Sequence, residues 1–335
     1  MVASGLNNPR LLSFRGRTLY VAEAGIGGSG PCRANPEGGT ECFGASGSIT
    51  RIGRHARRIL TGLPSIAGHD GSQALGAADV VPLRHGKLAI SFGAGGTPSQ
   101  RAIFPGVGRW LGTLTVASHR GATWRHHHIG ILADLMAFES RHDPDHQGVD
   151  SDPTGFIRTH GHFVNVDSGG NDVLRVGGGR PTGVLAVFGN RNAPNPFPPG
   201  GTVPMQAVPT AVAKGPHGAL FISQLTGFPF PQGAARIYRL VPGHAPTVWA
   251  TGLTNVTDLA WFHGSLYAVQ IADHGLLAPG IPRGSLIKVA GGSVHHTVAG
   301  NLVAPYGVAL RRGAAYVSTC SVCKGAGAVL RIPLH

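Results

Sequence analysis

Apolar and polar positions alternate along this chain in short runs, and glycine- and proline-rich turns separate the runs. The clearest stretch lies between Pro209 and Leu253. Pro209-Thr210-Ala211-Val212-Ala213 is an apolar run, Gly215-Pro216-His217-Gly218 a turn, and Leu220-Phe221-Ile222-Ser223-Gln224 a β-branched and aromatic run. Ala235 to Leu240 alternates, Pro242-Gly243-His244 turns again, and Thr247 to Leu253 follows. Period-two alternation bounded by turn residues predicts strands, here four in succession. No stretch is long and periodic enough for a major helix. One such sheet cannot bury both its faces alone, so copies of it must stack.

The unit recurs along the chain. Its second strand reads Leu19-Tyr20-Val21-Ala22, Leu88-Ala89-Ile90-Ser91, Phe163-Val164-Asn165-Val166, Leu220 to Ser223, Leu266-Tyr267-Ala268-Val269 and Ala315-Tyr316-Val317-Ser318. These copies predict an all-β fold, a six-bladed β-propeller with four-stranded blades. It forms a single domain over 1–335, with blades near 7–63, 77–135, 152–188, 208–253, 255–302 and 304–335. The last copy stops at its third strand, Leu330-Arg331-Ile332. The chain opens on Val2-Ala3-Ser4-Gly5-Leu6, a fourth-strand phrase like Ala250-Thr251-Gly252-Leu253. Residues 1–6 are therefore expected to complete the last blade beside Leu330–Ile332 and leave no open seam. This strand begins almost at residue 1, so residues upstream are expected to have been lost or left out.

Propeller geometry puts the strand 2-to-3 loops and the blade-to-blade connections on one face, here called the top. They hold every long insertion: 24–47, 64–77, 93–111, 136–152, 189–207, 225–234, 271–284 and 319–327. Long loops on a rigid scaffold usually carry function. All 15 acidic residues, Glu37 among them, fall in these loops or at strand ends that meet them. Arg and His collect on the opposite face, so the molecule is expected to be electrically polar along its axis.

Directly after each second strand stands Glu23, Phe92, Asp167, Gln224, Gln270 or Thr319. The first strands begin with Arg10, Asp79, Thr154, Thr210, Thr257 and Tyr306, with Asp258 beside them. Carboxylates and amides converging on a channel mouth would bind a small molecule or a hard cation through oxygen. The candidate ligand set is Glu23, Asp167, Gln224, Gln270 and Asp258. Glu23, Asp167 and Asp258 are the candidate ligands of a divalent cation, calcium or another oxygen-ligated metal. The same residues could instead satisfy exposed strand ends.

Other signals are weaker. Asp143, Asp145, Gln147 and Gly148 match the start of an EF-hand-like loop, but position twelve is Thr154 and no long helices flank it. The segment reads better as a solvated loop. Cys32, Cys42, Cys320 and Cys323 lie in top loops of the first and last blades, which the ring makes neighbours. Two local disulfides, Cys32–Cys42 and Cys320–Cys323, in an oxidising compartment are the preferred reading. A four-cysteine zinc site is the rival, although only one pair has the short zinc spacing. Gly25 to Gly30 matches a dinucleotide fingerprint without the helix that it requires. His126-His127-His128 suggests no more than adventitious metal binding.

Composition agrees with a turn-rich globular protein: Gly 53, Pro 25, 42% hydrophobic and 13% charged among 335 residues. The net charge of +13 comes almost wholly from Arg. No nucleic-acid motif accompanies it, so no nucleic-acid partner is expected. No apolar run reaches a membrane span and no signal peptide is present.

Phrases spread over the whole chain resemble the ScyD/ScyE family of bacterial β-propellers. They include Ser4 to Arg10, Leu19 to Gly25, Gly30-Pro31-Cys32, Glu41 to Gly44, Asp150 to Pro153, Met205 to Thr210, Gln224 to Pro231 and the Cys320–Cys323 pair. The family is named for genes clustered with biosynthesis of scytonemin, an indole-phenol pigment. The resemblance implies the propeller and export, hence an extracellular or periplasmic location. Where the family resemblance would place a His before the acid of the second blade, this chain has Ala78-Asp79. Two functions compete. One is a small-molecule site at the top of the channel, metal-assisted or not, acting on an aromatic or lactone-like compound. The other is an exported, non-enzymatic scaffold whose top loops bind a partner protein or a cell-envelope glycan.

Overall fold

A computed structural model describes residues 1–35, 38–120, 123–159 and 161–334, without the side chains of 120 and 123–127. Glu37, the side chains of His126 and His127, and His160 lie outside the described residues.

Strands dominate, and the fold is an all-β propeller. One four-stranded sheet runs Pro153–Arg158, Phe163–Asp167, Asp172–Val176 and Gly183–Val187. A second runs Pro209–Lys214, Leu220–Gln224, Ala235–Leu240 and Thr247–Leu253. A third runs Val256–Phe262, Ser265–Gln270, Arg283–Val289 and His296–Val303. The fourth joins Val308–Arg311, Ala314–Thr319 and Gly327–Pro333 to the N-terminal strand Ala3–Leu6.

Four-stranded sheets therefore number four among the described residues, not the expected six. Residues 9–134 form one sheet of 9 strands instead. The cause is local. Thr40–Ile52 and Ala56–Gly68 are each 13 residues long and run on through a segment expected to be loop. The second reaches Leu75–Pro82, pairing Ser65 with Gly76 and Ile66 with Leu75, and so fuses two units. Other top connections also carry structure: a helix over Leu135–His142, a short helix over Pro98–Ala102, and a ribbon of Arg191–Pro194 with Thr202–Met205.

The strands Pro9–Arg15, Leu75–Pro82, Pro153–Arg158, Pro209–Lys214, Val256–Phe262 and Val308–Arg311 neighbour one another in that order, and the last meets the first. All six contribute to the wall of a central cavity of about 140 Å³. Hydroxyl groups link each unit to the next around the ring, three of them on inner strands and three on or just after the second strands. Ser13 donates to the Val80 carbonyl (2.5 Å), Ser91 to Thr154 (2.6 Å) and Ser168 to Pro209 (2.5 Å). Thr210 donates to Val256 (2.8 Å), Thr257 to Tyr306 (2.6 Å) and Ser318 to Arg10 (2.8 Å). Inner strands expose backbone carbonyls with no strand beside them, and buried carbonyls need partners.

The core lies in layers between adjacent sheets, as stacking requires. Phe221, Ile237, Leu259 and Ala268 fill one layer, and Leu12, Val21, Ala309 and Val329 another. Ala3–Leu6 pairs antiparallel with the start of Gly327–Pro333, Ala3 opposite Val329 and Leu6 opposite Gly327. The strand lies beside the expected partner but at its start, on Gly327–Val329 rather than Leu330–Ile332, and a bulge falls between Ser4 and Leu6, at Gly5, where φ is +73°. Cys32–Cys42 and Cys320–Cys323 are disulfides and no described cysteine is free, which replaces the zinc alternative. Two disulfides are those of a non-reducing compartment. No helix among the described residues is long and apolar enough to cross a membrane.

Candidate functional site

The residues that follow the second strands are buried, and each bonds its own surroundings. Glu23 accepts from the Asn7 amide (2.8 Å) and the Thr50 hydroxyl (2.5 Å), and pairs with Arg58 at 2.7 Å. The Gln224 carbonyl accepts from the Arg236 amide and the Arg191 guanidinium, both at 3.2 Å. Gln270 accepts from the Thr254 amide (2.8 Å) and donates to Asp273 (2.9 Å). Asp167 accepts from the Ser151 hydroxyl and the Asp152 amide, both at 2.6 Å. Asp258 accepts from the Leu259 and Val308 amides, both at 2.7 Å. Among the described residues, none of these five bonds another of the set. In this structure they secure strand ends.

Asp258 nevertheless faces the central cavity, together with Asp79. Asp79 accepts from the Val80 amide (2.7 Å) and from Phe156 of the next inner strand (3.0 Å). Burial pushes the Asp79 carboxyl up to about 7, against the pull of those two bonds. Burial also holds Asp258 well above the usual carboxylate range, and the charge of Asp79 adds to that.

A second group gathers at one end of the inner strands. The Arg10 guanidinium lies 4.7 Å from the centre of the Tyr306 ring, and donates to the Ala74 carbonyl at 2.6 Å. Asp152 accepts from the Ala94 amide at 2.9 Å. Its carboxyl is pushed up to about 6 by burial and then by Asp150, while Arg10 and Arg33 oppose the shift. The Tyr306 phenol is raised by burial, lowered by Arg10, and raised again by Asp152 and Asp258. Arg10, Asp152, Tyr306 and Asp258 thus share one electrostatic neighbourhood. Arg10 and Tyr306 stand in the row of first-strand starts, where alternation alone assigns them no role. Asp152 belongs to the segment expected to be a solvated loop.

That segment holds a further cluster. Carboxylate oxygens of Glu139, Asp143 and Asp145 lie within 4.8 Å of one another and could hold a metal ion. Glu139 comes from the helix Leu135–His142, whose N-terminus Asp134 caps by accepting from the Ala137 amide at 2.9 Å. Glu139 is raised to about 8 by burial first and then by the charges of Asp167, Asp145, Asp143 and Asp150. Asp172 is held well above its ordinary value by burial, then by Asp167, Glu139 and Asp145. Asp172 had no motif to reveal it, because its neighbours come from other elements, whereas Glu139 stands one helical turn before Asp143, outside the span that the loop pattern covers.

No protein-family model matches the sequence, and no curated protein matches it. Solved structures do match in fold. A glucose dehydrogenase-type oxidoreductase from Thermus thermophilus superposes with a TM-score of 0.55 at 17% identity, over 99% of this chain and 98% of that one. A luciferin-regenerating enzyme gives 0.54 at 9% identity, over 98% and 92%. A streptogramin B lyase gives 0.50 at 8% identity, over 99% and 84%. At such identities the likeness is one of fold.

Proposed function

We propose that this chain is a ScyD/ScyE-like, six-bladed propeller that binds a small organic molecule at the mouth of its central channel. The observation that carries the binding reading is the meeting of Arg10, Asp152 and Tyr306 near Asp258. A guanidinium, a carboxyl whose pKa is about 6, and a phenol give one mouth a cation, an acid–base group and a ring face. That set suits a polar ring compound with both donors and acceptors, of the lactone or phenol class. Asp152 is the group placed to move a proton near neutral pH. Metal assistance through Glu23, Asp167 and Asp258 is not needed, since each is already bonded.

Six inner strands, six linking hydroxyls and a core layered between neighbours support the count of six, with the long sheet counted as two blades. The pairing of Ala3–Leu6 with Gly327–Pro333 supports closure by the N-terminal strand. The quoted sequence phrases support the family, and the disulfides support an extracellular or periplasmic location.

The reading is tested by a thermal-shift screen of lactones, phenols and sugars. Compounds that raise the melting temperature of wild type should lose that effect in Asp152→Asn and Tyr306→Phe. A screen without hits, or hits equally strong in both variants, would count against it.

One observation favours the scaffold reading. Phe197 and Phe228 stack at 6.1 Å between centroids while 56% and 42% exposed, in two of the top loops. If those loops hold a partner, Phe197→Ser should weaken its capture without affecting small-molecule hits.

A further inference from the structure

The acidic cluster beside the channel has features that strand-end bonding does not explain. Asp172 is fully buried, and neither of its carboxylate oxygens has a hydrogen-bond partner. Glu139 is 1% exposed, and its Oε1 has none either. Asp143 Oδ1 is a third such site. Buried carboxylate oxygens are normally satisfied, so an unsatisfied group of them calls for an explanation.

The outward oxygens do have donors. Asp145 accepts from the Gln147 amide (3.0 Å) and from the Asn171 side chain (2.9 Å), and Asp143 accepts from the Gly148 amide (3.3 Å). These bonds orient the two aspartates; both Asp145 oxygens carry a donor, and Asp143 Oδ1 is left to the cluster. The turn that carries Asp172 lies against it: a Cβ on Gly170 would stand 2.9 Å from Glu139 Oε2. The ion pairs among the described residues involve Glu41, Glu23 and Asp134, so no Arg or Lys neutralises this group.

We propose that Glu139, Asp143, Asp145 and Asp172 bind a calcium ion, which ties the helix Leu135–His142 and the loop after it to the turn before Asp172–Val176. Carboxylates crowded out of water repel one another, and a divalent cation relieves that repulsion. An all-oxygen set selects a hard cation over zinc or copper. Calcium accepts irregular all-protein oxygen sets, whereas magnesium demands near-ideal octahedral geometry and keeps several waters, so a cage of protein carboxylates favours calcium. The glutamate that an EF-hand loop carries at its twelfth position is absent because Glu139 and Asp172 enter from outside the loop.

The test uses the whole protein, dialysed against chelator and then titrated with calcium chloride by calorimetry and by melting temperature. The expected result is one calcium per chain and a melting temperature that rises with calcium concentration. Asp172→Asn and Glu139→Gln should each weaken binding at least tenfold. In chelator, Asp172→Asn should melt no lower than wild type, because it removes a repelled charge. Magnesium at equal concentration should give a smaller shift. Absence of binding by wild type, or unchanged affinity in both variants, would overturn the site. A magnesium shift as large as that of calcium would overturn the assignment of the ion. Should one variant fail to fold, the other and the wild-type titration still decide.

Discussion

Glu23 shows what a polar residue at the end of a second strand does here. It is fully buried, while the side chain of its partner Arg58 is 40% exposed. Replacing it with Ala leaves the Asn7 amide and the Thr50 hydroxyl without an acceptor. We expect Glu23→Ala to cost about 3 kcal/mol, read from urea denaturation, with the partly solvated Arg58 keeping the loss at the lower end for a broken buried pair. Asp79 gives a pH dependence. A carboxyl held near 7 in the folded chain keeps a proton that the unfolded chain releases near 4. The folded state therefore binds more protons between those values, and stability falls as pH rises from about 4 to about 7. One such group contributes a slope of up to about 1.4 kcal/mol per pH unit. Asp79→Asn should flatten the decline of the denaturation midpoint across that range. An unchanged slope would show that Asp79 is ionised throughout.

Strands are the elements most legible in the sequence, because alternation and glycine turns are written in consecutive residues. Of the six linking hydroxyls, only Thr210 and Thr257 were visible as polar starts of first strands, and their role as links was not. Each hydroxyl bond should be worth about 1 kcal/mol, so Ser91→Ala should lower stability by that amount, and Ser91→Ala with Thr257→Ala by about the sum. The N-terminal strand carries a larger share. Deleting residues 1–6 exposes the edge of Gly327–Pro333 and opens the core layer holding Ala3 and Leu6. A melting temperature unchanged by that deletion would contradict the proposed closure. Two things were not legible. The long hairpin over 40–68 is glycine-rich above the blade, as loops are, so its fusion with the next sheet left no sequence signal. Glu139 lies on a helix that the sequence did not reveal, one turn before Asp143, and only the fold brings Asp172, at a strand start, to that segment.

At the scale of the molecule, a ring of inner strands fixes where side chains converge, and the top connections decide what converges there. The five residues first expected to form the site are spread among local tasks. Only Asp258 faces the cavity, near Asp79 and close to the group of Arg10, Asp152 and Tyr306. The disulfides brace two of the top loops. Denatured, unreduced protein should therefore show almost no free thiol, and reduction should lower the melting temperature. The central claim is that the channel mouth binds a small molecule. Its most direct test is the affinity, by calorimetry, of the strongest compound from the screen for wild type, Arg10→Lys, Tyr306→Phe and Phe197→Ser. Loss of the stacked guanidinium or of the phenol should weaken binding at least tenfold, and Phe197→Ser should leave it unchanged. Equal affinity in all four proteins, or loss confined to Phe197→Ser, would contradict the account.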